Sequence, residues 1–201
     1  MSQSRSPSLQ TFIGRTHAAL LHAARADSPA RPVIARIFAA LDRVGLQARE
    51  TAGTRLPVCT EFERACGSAR RHSPAIAALA DRLTALEPRL AWSRRPGAET
   101  HGDHFARNHA NALIIGEGGL ETSADVRIGV SLLAPRTTYP DHRHPPEEVY
   151  IALSPGEWRQ NDGPWGAPGI GGLVHNPPGI LHAMRSAEAP LLAVWCLLIA
   201  A

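Results

Sequence analysis

The chain has 201 residues, 44% of them hydrophobic, a net charge of +3, and 21 basic residues that are all arginine. That length and apolar content suffice for one compact protein with a sizeable core, either a single domain or a barrel with a helical cap. The arginines are scattered along the chain, which argues against a nucleic-acid surface and leaves genomic base composition as the reason for the missing lysine.

The N-terminal stretch from Met1 to Ser8 has no apolar leader segment. Apolar residues then recur at helical spacing: Leu9, Phe12, Ile13, Leu20 and Leu21; Val33, Ile34, Ile37, Phe38, Leu41 and Val44; Ile76, Leu79, Leu83 and Leu86. These predict three helices, and a fourth is expected from Thr60 to Ala69. Ser28-Pro29, Gly45, Gly53, Ser73-Pro74 and Pro96-Gly97 punctuate them. Near residue 100 the pattern changes to short β-branched runs: Ala112–Ile115, Val126–Leu133, Glu147–Leu153, Gly172–Val174 and Leu191–Leu198. We therefore expect a mainly β protein, with a helical region over residues 1–100 packed on a small antiparallel barrel over residues 101–201. Gly116 to Gly119 lacks the lysine and following helix of a phosphate loop and reads as a hairpin turn. His101, His104 and His109, just before the first barrel strand, read as solvated or chain-capping residues.

The segment from Pro190 to Ala201 is the most apolar, but it falls short of the roughly 18 residues of a membrane span and reads as a buried strand carrying Trp195. Cys59, Cys66 and Cys196 are an odd set without CxxC spacing, so buried free thiols in a reducing compartment are expected. Together these features predict a soluble, cytoplasmic protein with no membrane partner.

Two cassettes carry the chemistry. The first, His142-Arg-His-Pro-Pro-Glu-Glu148-Val-Tyr150, places His142, His144, Glu148 and Tyr150 at even spacings, so one strand would present all four on one face. The second, Gly171-x5-Pro177-Pro-Gly179-Ile-Leu-His182, has a Pro-x-Gly turn that would reverse the chain and deliver His182 on the following strand, as in a hairpin. His144, Glu148 and His182, with His142 as a further metal or substrate-binding residue, could together hold one divalent metal ion. Imidazole and carboxylate suit zinc, iron, manganese, cobalt or nickel, and without a thiolate nothing selects among them. His175, seven residues before His182, is a candidate pocket residue.

These cassettes resemble the two motifs of the cupin superfamily, Gly-x5-His-x-His-x3-4-Glu-x6-Gly and Gly-x5-Pro-x-Gly-x2-His-x3-Asn. Arg136 stands where the first motif opens on glycine, Gly156 falls one residue late, and Ser186 replaces the final asparagine. These departures affect turns and leave the ligands in place. The pattern Tyr-x2-His-x-His-x3-Glu-x-Tyr from Tyr139 to Tyr150, the His182 spacing and the helical first half resemble, more narrowly, the cupin-type dimethylsulfoniopropionate lyases of the DddQ type.

The resemblance implies a carbon-sulfur lyase that splits this small-molecule substrate into dimethyl sulfide and acrylate by β-elimination. Tyr150 is then the first candidate for the general base, since a nearby cation favours the phenolate. Tyr139 is the rival base or a substrate clamp. A sulfonium also wants an aromatic face, which Trp158, Trp165, Trp195 or the tyrosines could supply. A cupin dioxygenase using ferrous iron and a non-catalytic ligand-binding cupin are the alternatives. The helices could cover a barrel face, close a lid or form a homodimer interface, and the sequence leaves these open.

Overall fold

The computed structural model describes residues 4–48 and 52–199; residues 1–3 of the N-terminal stretch and 200–201 of the apolar C-terminal segment lie outside the described residues. The four expected helices are α1 (Pro7–Ala23), α2 (Ala30–Ala40), α3 (Phe62–His72) and α4 (Pro74–Leu86). Proline opens both α1 and α4, where the missing N–H would have had no helical partner. Ser73 ends α3 and starts α4, its Oγ accepting from the Ile76 N–H at 3.3 Å. A further short helix, α5 (Asp103–Asn108), has too few turns to leave a periodic signal. None of the helices among the described residues is long and apolar enough to cross a membrane.

The described residues form nine strands: β1 (Trp92–Ser93), β2 (His109–Ile115), β3 (Val126–Leu133), β4 (Thr138–His142), β5 (Glu147–Ala152), β6 (Glu157–Gln160), β7 (Leu173–Asn176), β8 (His182–Arg185) and β9 (Leu191–Leu198). They build a six-stranded sheet in the order β1-β2-β3-β9-β5-β7 and a three-stranded sheet in the order β4-β8-β6, with every pair antiparallel. This is the expected cupin barrel behind a helical N-terminal part. Residues 116–119 turn the chain between the paired strands β2 and β3, as expected.

Alternation along the large sheet sorts its side chains into two layers. Val149 and Ile151 of β5, and Leu192, Val194 and Cys196 of β9, join the buried cluster that includes Phe12, Ile34, Ile37 and Leu83 of the helices. Tyr150 and Ala152 of β5, with Leu191 and Ala193 of β9, belong instead to a second cluster with Tyr139, Trp158 and Met184. The helices thus cover the outer face of the large sheet, and the inner face is left for the cavity. Cys59, Cys66 and Cys196 are buried free thiols.

Two of the strand expectations need correction. His142, His144, Glu148 and Tyr150 do not share one strand: His142 ends β4 in the small sheet, Glu148 and Tyr150 lie on β5 in the large one, and His144 sits in the connection between them. The two prolines after His144 interrupt the strand the even spacing suggested. The Pro177–Gly179 turn, likewise, does not make a hairpin, because β7 pairs with β5 while β8 pairs with β4 and β6. It carries the chain from one sheet to the other, with Gly179 at φ 72°.

One buried ion pair ties the N-terminus to the barrel. The Arg5 guanidinium grips both oxygens of Glu121 at 2.7 Å, and Gln47 Nε2 donates to the same carboxylate at 2.8 Å. Burial pushes the Glu121 carboxyl up, but the Arg5, Gln47 and Gly45 donors outweigh it and hold it below its ordinary value. Removing one partner strands a buried charge, so Glu121→Ala should lower the unfolding free energy by about 3 kcal/mol in a urea titration. The contribution is fully present above the unfolded-state glutamate value and is lost as pH falls through the lower folded value. A wild-type-like midpoint for the variant would show that the pair does not fasten the N-terminus.

Candidate metal centre

Three imidazoles and one carboxylate converge where the two sheets face each other. His142 and His182 are register partners on β4 and β8, with ring centroids 4.1 Å apart, and His144 lies 5.0 Å from His182. One ligand atom from each of these histidines lies within 4.8 Å of the others. Glu148, 3% exposed on β5, brings Oε2 to 3.3 Å from Nε2 of both His144 and His182. All four predicted donors are therefore brought together.

The imidazoles are oriented by their own backbones. Nδ1 of His142 meets the Pro140 carbonyl at 2.9 Å, Nδ1 of His144 the Pro146 carbonyl at 2.9 Å, and Nδ1 of His182 the Ile180 carbonyl at 3.0 Å. A carbonyl only accepts, so each Nδ1 must carry the proton and each Nε2 is the atom available for coordination. Burial, reinforced by His182, lowers the His142 pKa to about 4, so this ring is neutral near pH 7 and its Nε2 is a bare lone pair. His182 Nε2 is buried with no hydrogen-bond partner among the described residues. A carboxylate oxygen 3.3 Å from such nitrogens fits a bound cation.

Burial drives the Glu148 carboxyl up, but His144 and His182 outweigh it and bring its pKa down to about 2. The same Oε2 accepts from Asn176 Nδ2 at 2.9 Å, and Asn176 Oδ1 in turn accepts from Gln160 Nε2 at 2.8 Å. Sequence reasoning missed this chain of amides. Its one signal is the cross-strand pairing of Glu148 with Asn176, which only the register reveals.

A cavity of about 140 Å³ adjoins the cluster, lined by Tyr139, Tyr150, Asn111, Ser131, Trp195 and the cluster residues His142, His144 and Glu148. Tyr139 and His142 both reach it although they are three residues apart on β4. The pairing Tyr139↔Met184 and His142↔His182 leaves one extra residue on β4, a bulge that resets the alternation. Tyr150 lies opposite Trp195, and Trp195 lies opposite Gly129, where a Cβ would come within 2.2 Å of the indole. The glycine is what lets the Trp195 ring lie across the sheet.

Of the three tryptophans considered, Trp195 lines the cavity, while Trp158 packs 6.0 Å from the Tyr150 ring. Trp165 is elsewhere, between the guanidinium groups of Arg159 and Arg185 at 5.0 and 4.3 Å. Burial, then Glu148 and Tyr139, push the Tyr150 phenol well up. Tyr139 is also raised by burial, while Asn111 and Arg95 pull it back.

The remaining histidines stand apart from the cluster. His175 pairs with Glu147 at 2.7 Å and does not line the cavity. His101 and His104 are exposed, as expected. His109 is not: it is fully buried, stacked on Phe105 at 3.8 Å and bonded to the Arg95 N–H through Nε2 at 2.9 Å, because the first residue of β2 already points inside. Two of the three motif departures meet in one turn, where Ser186 Oγ accepts from the Thr137 N–H at 3.0 Å and Arg136 takes φ 57°. The turn leaves His142, His144, Glu148 and His182 in the cluster.

The chain is 33% identical over 133 residues to the DddL protein of Cereibacter sphaeroides, a match covering 66% of this chain and 54% of that one. It is 31% identical over 121 residues to the dimethylsulfoniopropionate lyase DddQ of Ruegeria pomeroyi, covering 60% of each. It thus spans a little over half the length of these curated relatives. The crystal structure of the Ruegeria pomeroyi lyase DddQ superposes with a TM-score of 0.72 at 26% identity, over 96% of this chain and 92% of that one. The profile of the dimethylsulfoniopropionate lyase family matches residues 30–193, and the chain belongs to that family.

Proposed function

We propose that the protein is a metal-dependent carbon-sulfur lyase that cleaves dimethylsulfoniopropionate to dimethyl sulfide and acrylate by β-elimination, with Tyr150 as general base. The observation that carries the reading is the shared register of β5, which turns Glu148 and Tyr150 into the same cavity beside His142, His144 and His182. A divalent ion (zinc, iron, manganese, cobalt or nickel) held by His144, Glu148 and His182, with His142 as a further donor, would polarise the substrate carboxylate, acidify the adjacent carbon and favour the Tyr150 phenolate.

The residues of the chain divide the remaining work. The Tyr150 oxygen takes the proton from the carbon next to the carboxylate. The C–H electrons become the C=C bond of acrylate, and the C–S electrons leave on sulfur as neutral dimethyl sulfide. No acid is needed for that leaving group, so one base suffices. Trp195 offers the sulfonium an aromatic face inside the cavity, an attraction of about 0.5 to 2 kcal/mol. Tyr139, which shares the cavity wall with Asn111 and lies 5.6 Å from the Arg95 guanidinium, fits the role of a clamp on the substrate. The buried wall of Tyr150, Trp158 and Met184 keeps bulk water from competing for the proton.

Purified protein mixed with dimethylsulfoniopropionate should release dimethyl sulfide and acrylate in equal amounts, read by headspace gas chromatography and an acrylate assay. Absence of both products across manganese, iron, zinc, cobalt and nickel would sink the lyase reading, and oxygen uptake would then point to a dioxygenase. Tyr150→Phe should keep its metal and lose turnover by about 10² or more; near-normal turnover would remove Tyr150 from the mechanism. His144→Ala, Glu148→Ala and His182→Ala should each arrive depleted of metal by elemental analysis, and wild-type metal content in all three would defeat the ligand assignment.

A further inference from the structure

The cavity opens into a wider basin of about 560 Å³, which shares Asn111, Tyr139, His144 and Trp195 with it. Arg94, Arg95 and Arg127 line this mouth, and none of its lining residues is acidic. Arg94 is tied down, its Nε donating to the Ala106 carbonyl at 2.7 Å, and Arg127 is exposed. Arg95 differs from both.

Arg95 follows β1, whose pairing of Ser93 with Asn111 brings the chain to the cavity rim. Its backbone is fixed twice. The N–H donates to buried His109 at 2.9 Å, and the carbonyl accepts from the Ala98 N–H at 3.1 Å in a turn that passes through Gly97 at φ 72°. The guanidinium lies over the Tyr139 ring, 5.6 Å from its centroid. Its Nη1 is enclosed and has no hydrogen-bond partner among the described residues. An enclosed cationic donor without an acceptor is costly unless something arrives to fill it.

We infer that Arg95 receives the carboxylate of the incoming substrate at the cavity mouth, ahead of the metal site, and adds to the selection of carboxylates over neutral molecules of the same shape. A guanidinium presents paired N–H groups that match the two oxygens of a carboxylate. The Tyr139 ring, 5.6 Å away, offers the guanidinium an aromatic face to rest against. The inference rests on the lyase reading only for the identity of the carboxylate; the recognition itself requires no turnover.

The test is calorimetric titration of metal-matched wild type, Arg95→Gln and Arg95→Lys with propionate and with its neutral isostere propionamide. Wild type should prefer propionate, Arg95→Gln should cut that preference about ten-fold and leave only what the bound cation supplies, and Arg95→Lys should recover part of the loss as a point charge. Equal propionate affinity in wild type and Arg95→Gln, or no propionate binding by wild type, overturns the inference. Arg127→Gln, at the exposed rim, should keep the preference; losing it equally would show a diffuse field in place of a seat at Arg95. Because propionate binding is read without dimethyl sulfide, a failure to release that gas would count against the lyase reading alone. If the gas is released, Arg95→Gln should raise KM about ten-fold and leave kcat within a few-fold.

Discussion

A carboxylate buried as deeply as Glu148 must be compensated, and the rest of the barrel interior is arranged around that requirement. Asn176 gives it one hydrogen bond, and His144 and His182 stand 3.3 Å away. The three imidazoles are held by backbone carbonyls only two residues away in the chain, so their orientation follows from local backbone geometry and needs no further side chains. Three imidazole nitrogens and a carboxylate then converge on one volume, a donor set that suits a divalent cation.

The same requirement accounts for the small and polar residues on the inner face of the large sheet. Asn111, Gly129 and Ser131 take positions that in a filled barrel would carry large apolar side chains. Ser131 Oγ donates to Asn111 Oδ1 at 2.7 Å, which satisfies both side chains without filling the space. Gly129 leaves room for the Trp195 ring, so an aromatic wall and an open volume coexist on three adjacent strands.

Much of this was legible in the sequence where the signal is local. The period of the apolar residues marked the four long helices, and the cassettes marked the donors, because spacing within a motif survives any rearrangement of its surroundings. What depends on pairing between distant segments was not legible. The even spacing of His142, His144, Glu148 and Tyr150 suggested one strand, yet Pro145 and Pro146 break it and the two halves enter different sheets. The β4 bulge that turns Tyr139 inward is a register event and has no composition signature. Asn176 lies beside Glu148 through a cross-strand pairing, and Arg95 lies over the Tyr139 ring through a contact between distant segments, so neither leaves a local signal. His109 read as a solvated residue because the helix before it was too short to announce itself.

The helical half of the chain has a bearing on the chemistry although it contributes no donor. Along β5 the residues alternate: Glu148 and Tyr150 turn inward, Val149 and Ile151 turn outward into the cluster built with the helices. A slip of one residue in the pairing of β5 with β9 or β7 would exchange the two faces, sending the carboxylate and the phenol into an apolar layer and two aliphatic side chains into the cavity. Burying a carboxylate and a phenol there without partners is what makes the slipped arrangement costly, and the apolar surface offered by α1 and α2 is what makes the correct one favourable. The helices therefore act on the site through register: by giving Val149 and Ile151 a place to be buried, they fix which way Glu148 and Tyr150 must face.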